Sequence, residues 1–109
     1  SEGLIFDYNE YHNHYSVSGF TDDIPEDVYI SKYNGLDIVA IDFGAFENCT
    51  KIKNLYLSDP VSSIGQEAFQ GCTNLENVHL GNVVAIQTGA FADCPNLEQL
   101  LRRIIPVLS

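Results

Sequence analysis

The chain has 109 residues and a mass of 12.1 kDa, enough for one domain with a single core and no room for a second. A 45% hydrophobic and 18% charged composition excludes wholesale disorder and low-complexity architecture. Fifteen acidic residues against five basic ones give a net charge of -10, which repels phosphate backbones and anionic headgroups, so neither nucleic acid nor a membrane surface is an expected partner.

Residues 1–27 read as an N-terminal cap and linker. The chain contains no Met and starts Ser1-Glu2-Gly3, without the basic start and apolar run of a signal peptide, which reads as a mature or excised fragment. Two β-rich stretches, 4–8 and 15–20, flank the polar run 9–14 and predict a hairpin. His12 and His14 in that run form an H-x-H pair that, with Asp7 or Glu10, has the ligand types for a transition metal, but no third ligand is placed by spacing. A solvated turn is the simpler reading. The acidic run 22–27 offers hard oxygen ligands without the ordered spacing of a calcium loop, and Pro25 marks an extended linker.

Residues 28–94 carry an internal repeat. Segments 41–49 (IDFGAFENC), 64–72 (IGQEAFQGC) and 86–94 (IQTGAFADC) share columns of Ile, Ala-Phe and Cys. Their cysteines are 23 and 22 positions apart (72 − 49 and 94 − 72), within the roughly 20–29 residues of leucine-rich repeats. After the first two cysteines come Ile52-x-x-Leu55-x-Leu57 and Leu75-x-x-Val78-x-Leu80, an L-x-x-L-x-L strand signature that assigns one short strand per repeat. Upstream, 28–30 matches the strand columns and 38–41 the return segment, with residues 31–35 inserted between them. The physical reading is a solenoid, because no repeat can bury its own apolar residues and stacking completes the core. Ile52, Leu55, Leu57, Ile64, Ala68, Phe69 and Cys72 are expected inside, and the hairpin is expected to close the first rung.

Residues 95–109 leave the frame. Arg102 falls where Leu57 and Leu80 stood, and Leu97, Leu100, Leu101, Ile104, Ile105 and Leu108 follow helical spacing. A helical cap is one reading and a truncated repeat the other. An undocked stripe of Leu101, Ile104, Ile105 and Leu108 would favour self-association. The fold class is thus α+β: a short leucine-rich-repeat solenoid with a hairpin cap and a helical or irregular end.

Residues 64–78 (IGQEAFQGCTNLENV), together with 15–20 (YSVSGF) and 33–35 (YNG), resemble the BspA-type, or Treponema pallidum-like, leucine-rich repeat proteins of bacterial surfaces, over roughly 15–100. The resemblance implies a secreted or cell-surface protein of host-associated bacteria, or of some protozoa, that binds other proteins or matrix components. It implies no single ligand and no cofactor.

The three cysteines share a repeat period rather than metal-ligand spacing, and stacked rungs about 4.8 Å apart sit just beyond disulfide reach, so free buried thiols are expected. Nucleophile-elbow, Walker A, HExxH and dinucleotide-glycine motifs are absent, and no catalytic residue is assigned. What remains is the strand face. Residues between the inward positions face outward, giving a column of Tyr29, Tyr56 and His79, flanked by Lys53 and Glu76 and by Asn54 and Asn77. This is the candidate partner-binding surface; cross-strand stacking that only stabilises the ladder is the competing and compatible role. A ligand-free spacer or self-assembly domain is the alternative function.

Overall fold

The computed structural model describes residues 2–97. Among the described residues nine strands run β1 (Leu4–Asn9), β2 (His14–Phe20), β3 (Asp27–Ile30), β4 (Lys32–Tyr33), β5 (Leu36–Ile41), β6 (Asn54–Leu57), β7 (Ser63–Ile64), β8 (Asn77–His79) and β9 (Ala85–Ile86). They form two sheets. One has the order β3-β6-β8 and the other β1-β2-β5-β7-β9, with β4 paired to β5. Every rung-to-rung pairing is parallel, as a solenoid requires.

Two expectations are corrected. Each repeat supplies two strands rather than one: the return segments 63–64 and 85–86 are strands of the second sheet, too short to register as periodic patterns. The described residues are also mainly strand and turn rather than α+β, with a helical turn only at 95–97. The rest of the expected C-terminal cap, including Leu101, Ile104, Ile105 and Leu108, lies outside the described residues.

Between the sheets the third side of each rung is a string of turns closed by i to i−3 bonds, such as Ala45 N to Asp42 O at 3.1 Å and Cys49 N to Phe46 O at 3.0 Å. Adjacent turn strings bond to one another, Phe46 N to Ala68 O and Phe69 N to Ala90 O both at 2.7 Å, so buried backbone groups find partners on all three sides. The repeated Ala allows this close approach, and the repeated Phe fills the interior. Phe46 and Phe69 are fully buried, with ring centroids 4.9 Å apart and planes 5° from parallel. Burial of each contributes about 1.5–3 kcal/mol. All seven residues expected inside are buried.

The hairpin forms as expected, with β1 and β2 antiparallel, and β2 also lies parallel to β5. It therefore acts as a preceding rung. Val17 enters the core, and Phe20 stacks on Phe46 at 6.1 Å and 12°. The insertion 31–35 is itself a hairpin, turned by Asn34 and Gly35 at φ 52° and 77°, the dihedral signs of a type I′ turn. It carries Tyr33 onto Phe6, stacked at 4.1 Å, and against Tyr15 at 5.1 Å. This clasp escaped the sequence reading, although Asn-Gly was its signal.

Candidate functional site

The three-stranded sheet positions the candidate surface. Its alternation buries Val28, Ile30, Leu55 and Leu57 and turns the residues between them outward. The register pairs Tyr29 with Tyr56 and Tyr56 with His79. Their rings stack at 4.6 Å and 11°, then 4.8 Å and 17°. Tyr29 is 67% exposed. Because the rings cover one another's faces, the middle of the column offers edges and polar tips outward.

Asn54 and Asn77 form a second column beside it, with a member the sequence reading left in the linker. Asn77 Nδ2 donates to Asn54 Oδ1 and Asn54 Nδ2 donates to Asp27 Oδ1, both at 2.6 Å. Asp27 takes the acceptor end of this ladder, and the alternation 27-29 on β3, matching 54-56 on β6, was its available signal. Lys53 and Glu76 pair across rungs at 3.9 Å with both side chains 46% exposed, a contact worth at most about 1 kcal/mol.

A cleft of about 680 Å³ lies where the hairpin meets β5 and is lined by Asp7, Tyr8, Glu10, His14, Ser16 and Asp42 among others. Ser16 Oγ donates to Asp42 Oδ2 at 2.9 Å. Burial raises the Asp42 carboxyl above its ordinary range, the Ser16 bond opposes this, and the charge of Asp7 adds to it. His14 Nδ1 is cut off from solvent without a hydrogen-bond partner. His12 stacks on His14 with ring centroids 5.5 Å apart. Among the described residues, no three His, Cys, Asp or Glu side chains are placed to share a metal ion.

Cys49, Cys72 and Cys94 are all buried. Cys72 Sγ donates to Phe46 O at 3.2 Å and Cys94 Sγ to Phe69 O at 3.1 Å. Burial, and then the neighbouring Cys94 and Cys49, push the Cys72 thiol up to about 12, far from a reactive thiolate.

Parallel rungs, a repeated Phe and Cys interior and a hairpin closing one end define a capped leucine-rich-repeat solenoid. The BspA type leucine rich repeat region (6 copies) matches residues 30–102, and the chain belongs to that family. No curated protein matches the chain. Among solved structures, the Treponema pallidum leucine rich repeat protein superposes with a TM-score of 0.80 at 26% identity, over 86% of this chain and 44% of that one. A leucine-rich repeat protein from Bacteroides ovatus gives 0.77 at 27% identity, over 89% and 27%. A leucine rich cell surface protein from Faecalibacterium prausnitzii gives 0.74 at 21% identity, over 88% and 28%, a likeness of fold. The chain spans less than half the length of each.

Proposed function

We propose that this chain is a non-enzymatic protein-binding module of a secreted or cell-surface protein, contacting its partner through the outward face of β3, β6 and β8. The observation that carries this reading is the stacked column of Tyr29, Tyr56 and His79 on a sheet face that no other described element covers. Tyrosines offer large contact area at low rotamer cost, and Lys53, Glu76, Asn54 and Asn77 supply polar contacts around them. Family membership and the cell-surface relative support an adhesive role at a bacterial exterior.

A spacer or self-assembly role is the second reading. It is favoured by the last described rung, where Val84 is 87% and Ile86 48% exposed while Ile64, one rung earlier, is fully buried. One experiment separates the two. The chain and its Tyr29→Ser, Tyr56→Ser, His79→Ser triple variant are tested against host matrix and cell-surface proteins, beside sedimentation of the chain alone. Binding lost in a variant whose melting is little changed is the expected result. Silence across the panel from a chain that sediments as a multimer transfers the assignment to assembly.

A further inference from the structure

We infer that the N-terminal end of the strand face is an arginine-binding site, taking a guanidinium from an extended segment of the protein partner; the inference rests on the strand face being the partner surface and names what that partner must carry. Both outward columns end at the same edge, that of β3, whose only strand partner among the described residues is β6. The aromatic column ends in a π-face: Tyr56 covers one side of Tyr29, and no ring among the described residues covers the other. The polar column ends in a carboxylate: Asp27 accepts from Asn54 on its rung side and has no ion pair or further hydrogen bond among the described residues.

Between these two ends lies a concavity of about 190 Å³ lined by Glu2, Leu4, Pro25, Asp27, Val28 and Tyr29. It is smaller than the roughly 300–1,000 Å³ typical of small-molecule sites, and suits one side chain. Neither Asp27 nor Glu2 has an ion pair among the described residues. Lys51 Nζ is engaged by Asp22 O, Lys53 pairs with Glu76, and Lys32 pairs with Asp37. Leu4 and Pro25 give apolar walls for an aliphatic stem.

These features select arginine over lysine. A guanidinium is a flat plate that continues the stack on Tyr29, and its forked donors meet a carboxylate edge-on while the plane stays parallel to the ring. An ammonium has no plane to stack and is more strongly hydrated. A neutral, equally planar urea group would stack without answering Asp27 and Glu2.

The test uses three peptides, acetyl-Gly-Arg-Gly-amide and its lysine and citrulline counterparts, titrated at low salt into isotope-labelled chain and followed by amide and aromatic NMR shifts. The arginine peptide is expected to move the signals of Asp27, Val28 and Tyr29, the lysine peptide to bind at least about threefold more weakly, and the citrulline peptide to leave them in place. Asp27→Asn, which keeps an oxygen for Asn54, and Tyr29→Leu, which keeps bulk, should each weaken the arginine peptide about tenfold while the rest of the spectrum reports an intact fold. Equal binding of arginine and lysine, shifts away from this edge, or indifference to Asp27→Asn overturns the inference. A silent arginine peptide with a panel partner that the triple variant loses overturns the site and leaves the strand-face reading standing. Arginine binding here, with silence across the panel from a chain that sediments as a multimer, leaves the site standing and overturns the strand-face reading.

Discussion

Glu67 occupies a position that its neighbours in the repeat give to glycine. Gly44, Glu67 and Gly89 align on one column, with φ of 60°, 58° and 69°. A side chain in this left-handed region costs about 1–2 kcal/mol in contact between Cβ and the carbonyl. Glu67→Gly should therefore stabilise the chain by about 1 kcal/mol, seen as a higher urea midpoint at unchanged slope. Gly44→Ala is the matched control and should move the midpoint down, because only Glu47 Oε1, at 3.5 Å, approaches the added Cβ and the effect is conformational. Gly71, in the parallel column of Asn48 and Asp93, is different: an added Cβ would collide with Asn48 Oδ1. The columns were legible in sequence because they recur, which is how Tyr29, Tyr56 and His79 were found on one face. Asp27 was not, since it is an Asp where the later rungs carry Asn54 and Asn77, and it ends an acidic run that reads as solvated linker.

At the scale of elements, the cap shows where periodicity stops informing. Its two strands and polar connection were legible from alternation and turn residues, but nothing local says that β2 will run parallel to β5 and complete a rung. That depends on Val17 and Phe20 meeting Ile41 and Phe46 across long stretches of chain. The two-residue return strands were illegible for a related reason: pairing by neighbours, rather than their own pattern, makes them strands. Phe20 is the first plate of a stack continuing through Phe46, Phe69 and Phe91. Being half-buried, it should cost about 1–3 kcal/mol on truncation to Ala, less than the roughly 3–5 kcal/mol of a fully buried Phe. Because solenoid rungs couple mainly to their neighbours, the loss should be local. Hydrogen exchange in Phe20→Ala should quicken at Asp42 N, bonded to Val17 O, well before it quickens at Gly71 N, bonded to Ala92 O. Equal acceleration at both sites would mean that the rungs unfold as one unit.

At the scale of the whole molecule, a net charge of -10 acts against a fold with little ionic compensation. The described residues contain two ion pairs, both exposed, so screening them forfeits little. Self-repulsion has the longer reach, and the screening length falls from about 30 Å at 0.01 M salt to about 8 Å at 0.15 M. The melting temperature should therefore rise with salt over that range, and by similar amounts in chloride and nitrate if screening is the cause. Partner binding should respond with the opposite sign. A guanidinium drawn to Asp27 and Glu2 loses attraction under the same screening, so binding weakens over the range in which the fold is strengthened. A partner whose affinity instead grew with salt would be held by apolar contact with the rings of Tyr29 and Tyr56, and its arginine content would then be irrelevant to recognition.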